Sequence, residues 1–107
     1  MKRSRINRVS SRRRKENAEY AVERDAYLDR NPLCAVCDEE GRKKRAFFVH
    51  HRAGREGRFL LDQRFWMGVC YDCHDRIENF RLWATKNQYL LPRVSYPERF
   101  MIKRYGS

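Results

Sequence analysis

The sequence predicts one small α+β domain that needs a bound metal ion to hold it together. The chain has 107 residues, which is enough for one core and too few for two. Its hydrophobic fraction of 41% is too high for a wholly disordered chain, but a core of this size is marginal without a staple. Four cysteines in two Cys-x-x-Cys pairs supply the candidate staple.

The first predicted element is a helix over Ser11–Arg30. A serine at position 10 or 11 can cap it, apolar residues recur on one side, and Pro32 follows its end. The first cysteine pair, Cys34 and Cys37, comes next and is followed by turn residues and a basic run. We therefore predict a metal-binding knuckle that leads into a hairpin.

The hairpin is predicted from alternating runs of strand and turn residues. Residues 46–51 are rich in aromatic and β-branched side chains and predict a strand, whereas the glycine-punctuated residues 52–58 predict a loop. Residues 59–61 are expected to begin the return strand. Asp62 can cap a short helical turn that leads to the second cysteine pair.

A second helix is predicted to open at the second cysteine pair and to lose its pattern near Asn87. Its apolar side and the other large aromatic residues are expected to pack in the core instead of serving as base-stacking surfaces. These predicted core residues are Phe47, Phe48, Trp66, Ile77, Phe80, Trp83 and Ala84. Tyr71 is left open between the two roles.

Three segments follow from these elements. Residues 1–15 form a basic flexible arm, residues 16–91 form the metal-stapled domain with its N-terminal helix, and residues 92–107 form a C-terminal tail. Two prolines interrupt that tail, which is expected to be mobile or docked on a protein partner.

The positive charge is concentrated in the arm. Its residues contain eight Lys and Arg and no acid, so they carry +8 of the formal net charge of +11. The predicted phosphate contacts there are Arg3, Arg5, Arg8, Arg12, Arg13, Arg14 and Lys15. A nucleic acid is thus the favoured partner, and a solubilising tail is the alternative.

The sequence favours a cytoplasmic protein with no membrane partner. No stretch approaches the roughly 20 apolar residues that a membrane span needs, and the N-terminus lacks the apolar segment of a signal peptide. In a reducing compartment, two Cys-x-x-Cys pairs are more typical of a metal site than of disulfides.

The cysteine spacing predicts a structural Zn²⁺ site on Cys34, Cys37, Cys70 and Cys73. One pair lies on the knuckle, and the other lies in the first turn of a helix, whose positive end favours thiolates. The order of knuckle, hairpin and helix is typical of a treble clef. Four thiolates leave no open position on the ion, so any chemistry must come from other residues. Two redox pairs or buried free thiols would not explain the shared spacing.

All three histidines lie inside the segment that the cysteines frame. His50 and His51 are adjacent on a predicted strand, so their side chains should point to opposite faces and take different roles. His74 and Glu78 are four residues apart on the predicted helix and share a face. The alternative is that the histidines pack against the zinc site or bind phosphate passively.

These residues carry a resemblance to a known family. The chain contains the run Val49-His50-His51 and, further on, Cys70-Tyr-Asp-Cys73-His74-Asp-Arg-Ile-Glu78. Together the two runs resemble the HNH endonucleases, particularly the small zinc-stapled versions carried by bacteriophages. The resemblance covers residues 34–78 and implies a ββα-metal unit that holds one divalent ion.

The resemblance implies a role for each residue of the motif. His50 and His74 would bind the second ion, which would be Mg²⁺, Mn²⁺, Ni²⁺ or Zn²⁺, and Glu78 could complete its site. His51 would be the general base. The family usually has an Asn before the second cysteine pair, at a position that falls near Phe65 in this chain. Neighbouring Asp62 or Gln63 could take its place.

The function expected from this resemblance is metal-dependent hydrolysis of phosphodiester bonds, with DNA as the expected substrate and 5′-phosphate and 3′-hydroxyl ends as products. Loop residues Arg52, Arg55 and Arg58 would contact phosphates beside the site, unless the loop is simply solvated. One alternative is a non-catalytic zinc module that binds DNA, RNA or a nucleic-acid-containing assembly. Another is a small structural protein whose tail binds a protein partner.

Overall fold

The computed structural model describes residues 11–106 and shows a small α+β fold, as predicted. Its helices and strands are α1 (Ser11–Arg30), α2 (Ala35–Glu39), β1 (Phe48–His51), β2 (Trp66–Val69), α3 (Tyr71–Asn79) and α4 (Arg81–Lys86). Short 3₁₀ turns lie at Gly57–Phe59, Gln63–Phe65 and Pro97–Phe100. None of the helices in this range is long and apolar enough to span a membrane.

The centre of the fold is an antiparallel pair of strands with a helix on each side. Strands β1 and β2 pair with Phe48 opposite Val69 and His51 opposite Trp66. One residue, Cys70, separates the end of β2 from the start of α3, so the order β1, β2, α3 forms one continuous ββα unit. Helix α1 contacts the hairpin through Tyr20, whose ring lies 5.6 Å from that of Trp66.

Helix α1 has the predicted bounds, Ser11–Arg30. It therefore includes residues 11–15, which were assigned to the arm. Arg12, Arg13, Arg14 and Lys15 are exposed residues of the first turns of α1, and for these four positions the expected flexible arm is replaced by a helix. The serine that opens the helix and the proline after its end account for both boundaries. Arg3, Arg5 and Arg8 lie outside the described residues.

The return strand begins later than predicted. Residues 59–61 were expected to open it, but Gly57–Phe59 is a 3₁₀ turn and β2 starts at Trp66. The Asp62 cap is confirmed, because its carboxylate accepts a hydrogen bond of 3.2 Å from the backbone N–H of Arg64. The capped turn, and not the preceding leucines, therefore sets the start of β2.

The predicted second helix is broken into α3 and α4. The backbone of Phe80 leaves the helical region, with φ −123° and ψ 66°, and this break places its ring outside the core with 63% of the residue exposed. Phe47 is also 51% exposed, because it precedes β1 and leans on Tyr71 at the edge of the fold. The prediction that both phenylalanines are core residues is wrong, whereas Trp66, Ile77 and Ala84 are buried as expected.

The C-terminal segment packs on the domain and is not a free tail. Arg52 donates a hydrogen bond of 2.7 Å from Nη1 to the carbonyl of Lys103, and the amide side chain of Gln88 binds the backbone at residues 100 and 102. Tyr105 is buried in the main core cluster. The expectation of a mobile tail over residues 92–107 is therefore corrected as far as residue 106, whereas docking of this segment on a protein partner stays a prediction.

A glycine near the C-terminus allows this packing. Gly106 has a φ of +86°, and a Cβ built there would lie 2.2 Å from the hydroxyl oxygen of Tyr27. The same hydroxyl lies 3.1 Å from the carbonyl oxygens of Trp66 and Tyr105. Any side chain at position 106 would displace this contact between α1, β2 and the C-terminal segment.

Candidate metal centres and active site

The four cysteines form a cluster that fits a zinc ion. All four are buried, and their sulfur atoms lie within 4.8 Å of one another. The Sγ atom of Cys37 is 3.8 Å from that of Cys70 and 3.5 Å from that of Cys73. A tetrahedral Zn²⁺ with Zn–S bonds of about 2.3 Å requires sulfur atoms roughly 3.8 Å apart. The residues present therefore suit this ion in both chemistry and spacing.

Local backbone structure brings the cysteines together and places hydrogen-bond donors beside two of their sulfur atoms. Cys34 precedes α2, and its sulfur accepts a hydrogen bond from the backbone N–H of Cys37 at 3.4 Å. Cys70 and Cys73 lie at the N-terminus of α3, where the helix dipole favours negative charge. The guanidinium of Arg42 also donates to the sulfur of Cys37 at 3.5 Å. The second pair thus lies at a helix start, as predicted, and the predicted knuckle of the first pair includes the start of the short helix α2.

The histidines meet at a second site, a cavity of about 520 Å³ between β1, α3 and the segment after α4. Its lining includes all four residues of the predicted catalytic set, His50, His51, His74 and Glu78. Strand alternation separates the two adjacent histidines, because the His50 ring faces that of His74 on α3 and the His51 ring faces Tyr20 on α1. The cavity reaches both faces at the edge of the hairpin.

His50 is held in a form that can bind a metal ion. Its Nε2 donates a hydrogen bond of 2.7 Å to the carbonyl oxygen of Tyr89. A carbonyl can only accept, so Nε2 carries the proton and the lone pair of the neutral ring lies on Nδ1. Burial lowers the pKa of His50, which keeps the ring neutral near pH 7.

His51 is held in a form that can accept a proton. Its Nε2 lies 3.3 Å from the carbonyl oxygen of Leu60 and donates to it, so the lone pair again lies on Nδ1. Burial, helped by the positive charge of Arg55, lowers the pKa of His51 to about 4. The ring packs 5.4 Å from Tyr20 and 5.6 Å from Trp66, and these contacts fix its orientation.

Asp62 holds the loop before β2, because its carboxylate accepts the hydrogen bond from the Arg64 backbone and pairs with the guanidinium of Arg58 at 3.6 Å. The carboxylate of Asp62 binds the guanidinium of Arg64 at 2.7 Å, and the Gln63 side chain accepts a hydrogen bond of 2.9 Å from Arg30. The substitution of Asp62 or Gln63 for the family's Asn stays a prediction, and the acceptor that orients the His51 ring is the backbone carbonyl of Leu60. A backbone acceptor leaves no trace in the pattern of side chains, which is why the sequence did not show it.

His74 and Glu78 share a face of α3, as their spacing predicted, and both line the cavity. Glu78 lies 3.7 Å from the guanidinium of Arg81 in an exposed ion pair. Within residues 11–106, only the four cysteines bring three or more potential ligand atoms close enough to share an ion. The donor atoms of His50, His74 and Glu78 do not form such a group in this structure. The donor types of His50, His74 and Glu78, two imidazoles and a carboxylate, still suit Mn²⁺, Ni²⁺ or Zn²⁺.

Arg52 does not lie where a nucleic-acid backbone would reach it. The residue is 1% exposed, and its Nε donates a hydrogen bond of 2.8 Å to the carbonyl of Gln88. Its Nη1 bond to Lys103 anchors the C-terminal segment. The prediction that Arg52 contacts phosphate is therefore corrected. Its guanidinium has a structural role, because it binds carbonyls that are far away in the sequence.

The other two loop arginines, Arg55 and Arg58, differ in what their side chains contact. Arg55 is exposed, lines the cavity and lies 5.0 Å over the ring of Tyr20. Arg58 donates hydrogen bonds to the carbonyl of Ser95 at 2.7 Å and to Glu98 at 3.2 Å, so it holds the loop against the C-terminal segment. A phosphate contact is therefore better supported at Arg55 than at Arg58.

Two further arginines at the cavity were missed by sequence reasoning. Arg81 lies three residues after Glu78, and that spacing could have placed it on the same side. Arg93 lines the cavity because the chain after α4 returns to the loop, where the N–H of Leu91 donates 2.9 Å to the carbonyl of Arg52. No local signal predicts that return.

A hydrogen-bond network connects the cysteine knuckle to His50. Tyr89, whose carbonyl binds His50, also donates its hydroxyl to the carboxylate of Glu39 at 2.5 Å. Glu39 belongs to α2, the helix that carries the second knuckle cysteine, and it also accepts hydrogen bonds from Tyr105 and Lys103. One carboxylate thus ties the knuckle, the C-terminal segment and the acceptor of His50 together.

The chain is similar to a solved nuclease structure. That structure is the crystal structure, with manganese ion, of the HNH endonuclease of deep-sea thermophilic bacteriophage GVE2. The similarity covers 71% of this chain and 91% of that chain, with 25% sequence identity and a TM-score of 0.48. No family model and no curated protein matches the chain.

Proposed function

We propose that this protein is a metal-dependent endonuclease that hydrolyses phosphodiester bonds of nucleic acid, with DNA as the expected substrate. The observation that carries the proposal is the single cavity that collects His50, His51, His74 and Glu78. Neutral imidazoles and a carboxylate are ligands for a divalent ion, and a buried neutral imidazole is a general base. The separate cysteine cluster, in treble-clef order, would hold a structural zinc.

In the proposed mechanism, His50, His74 and Glu78 hold the second divalent ion. When bound, that ion supplies Lewis-acid stabilisation of the phosphate and of the leaving 3′ oxygen. His51 takes a proton from the attacking water at Nδ1, while the carbonyl of Leu60 keeps Nε2 protonated. The products would carry 5′-phosphate and 3′-hydroxyl ends.

Cations around the cavity and on α1 would supply affinity for phosphates. Arg55 and Arg93 line the cavity beside the catalytic set. Arg12, Arg13, Arg14 and Lys15 are exposed on α1, and Arg3, Arg5 and Arg8 of the arm would add to them. Such contacts position the backbone and carry no sequence code, so we propose no target sequence.

A second candidate function is a non-catalytic zinc module that binds nucleic acid. The observation that favours it is the ion pair between Glu78 and Arg81. In this pair the carboxylate of Glu78, a proposed metal ligand, faces a guanidinium instead of an ion. This module would need the cysteine cluster and the basic surface, but no second ion.

Cleavage assays with added divalent ions separate the two functions. The zinc-loaded protein is incubated with supercoiled plasmid and with single-stranded circular DNA in the presence of Mg²⁺, Mn²⁺, Ni²⁺ or Zn²⁺. We expect cleavage with at least one ion. His74→Ala should lose cleavage and the second ion together while keeping one zinc per chain, because it removes a ligand from that site alone. If the wild type cuts neither substrate with any ion, the non-catalytic module is the correct function.

We predict that Glu39 is a positioning residue for the second metal site. Glu39→Gln weakens the hydrogen bond to the hydroxyl of Tyr89, whose carbonyl orients His50. Outer partners of metal ligands contribute about 10- to 100-fold to metal affinity, and this more distant one should contribute about 3- to 10-fold. Titration calorimetry with Mn²⁺ on the zinc-loaded protein measures the change.

Glu40→Gln is the matched control for that prediction. Glu40 is the next residue and binds Arg42 and Arg76 on the surface. Its substitution should leave the Mn²⁺ affinity unchanged, and both variants should keep their zinc. Equal weakening in the two variants would show that the effect is a general loss of charge and not a loss of position at His50.

A further inference from the structure

A row of aromatic rings leads from the cavity to the surface. The ring of Phe48 lies 5.1 Å from that of His74, which lines the cavity, and 4.7 Å from that of Tyr71. The Tyr71 ring in turn lies 5.5 Å from that of Phe47. These contacts join the rings into one continuous row.

The outer end of this row is exposed and carries positive charge. Tyr71 is 65% exposed and Phe47 is 51% exposed, so core packing explains neither ring. The guanidinium of Arg45 lies 5.8 Å from the centre of the Phe47 ring. Asp72, the residue after Tyr71, is paired with Lys44 at 3.3 Å. We call Phe47 and Tyr71 the aromatic platform.

We infer that the aromatic platform stacks unpaired bases, so that the preferred ligand of this protein is a single-stranded stretch of nucleic acid. Exposed aromatic rings beside cations are the typical surface for binding single strands, because every base has a face that can stack. A base inside a duplex has both faces covered by its neighbours, and it must leave the helix to reach a ring. The platform therefore discriminates in favour of unpaired bases.

The placement of the platform connects it to the proposed cleavage site. Only Phe48 separates Tyr71 from the His74 ring at the cavity, while successive nucleotides of one B-form strand are about 3.4 Å apart. A strand stacked on the platform would thus extend its backbone into the cavity within a few nucleotides. This part of the inference rests on the proposed nuclease function, whereas the preference for single strands does not.

Binding measurements test the platform without cleavage. Fluorescence anisotropy is recorded with zinc-loaded protein and no other divalent ion, using an oligo-dT strand and a blunt duplex of equal length. Phe47→Leu, Tyr71→Leu and the double variant should bind the single strand about 5- to 100-fold more weakly for each lost stacking contact. Their affinity for the duplex should be unchanged, because backbone contacts are retained.

Tyr96→Leu is the matched control. Tyr96 is 59% exposed and has the guanidinium of Arg99 5.4 Å from its ring centre, but the ring contacts that form the aromatic row do not include it. Its substitution should change neither affinity. Equal losses for single strand and duplex, or no loss for the platform variants, would overturn the inference. A wild type that cuts nothing would remove the nuclease proposal and leave this result standing.

Discussion

Replacing Cys70 with serine is expected to unfold the domain. The four cysteines belong to the largest core cluster, where they pack with Val36, Met67, Val69 and Ile77. A structural zinc contributes on the order of 10 kcal/mol in domains of this kind, and a whole small domain is stable by about 5–15 kcal/mol. Loss of the ion would thus remove most of the free energy of unfolding. Removal of zinc with a strong chelator should have the same effect.

Zinc content, near-UV circular dichroism and thermal melting together test whether the domain unfolds when it loses zinc. The wild type should contain one zinc on its cysteines, and the Cys70→Ser variant should lose the near-UV signal and the cooperative melting transition. Re-addition of zinc should restore the chelated wild type but not the variant. An unchanged near-UV spectrum and melting curve after confirmed loss of zinc would show that the core is stable without the ion.

Local features of the sequence account for the parts of the fold that were predicted. Helix α1 has its predicted bounds because a serine and a proline mark its two ends within a few residues. The opposite orientations of His50 and His51 follow from the twofold repeat of any strand. The cysteine cluster was predicted from two Cys-x-x-Cys pairs with the spacing of metal ligands. The helix bounds and the histidine orientations need only neighbouring residues for their explanation, and the cluster needs only the shared chemistry of its two pairs.

Features that depend on distant contacts were not predictable from the residue pattern. Arg52 is buried because its guanidinium meets the carbonyls of Gln88 and Lys103, to which no sequence motif points. The break at Phe80 interrupts a helical pattern that continues on both sides of it. The acceptor of His51 is the backbone of Leu60, and a carbonyl is present at every residue. The sequence therefore predicts which side chains form the second site, whereas backbone carbonyls that it does not reveal orient the two histidine rings.

His51→Ala is expected to remove nucleic-acid cleavage while leaving metal and DNA binding nearly intact. His51 contributes a lone pair at Nδ1 that no other described residue supplies from that face of β1, because its neighbours there are Tyr20, Trp66 and the carbonyl of Leu60. A general base acts in the transition state and contributes little to ground-state binding. The rate of cleavage should therefore fall by about 100-fold or more.

Two further variants, His51→Gln and His74→Ala, distinguish the loss of a base at His51 from the loss of packing there and from the loss of the metal ion. Because His51 is buried, His51→Ala leaves a space beside Tyr20 and Trp66, whereas His51→Gln fills more of it and also lacks a base. Both should show the same loss of plasmid cleavage and should retain Mn²⁺ and oligonucleotide binding, whereas His74→Ala should lose Mn²⁺ binding as well. If His51→Ala or His51→Gln cleaves as fast as the wild type in a folded, metal-loaded state, His51 is not the base, and the proposed mechanism is wrong.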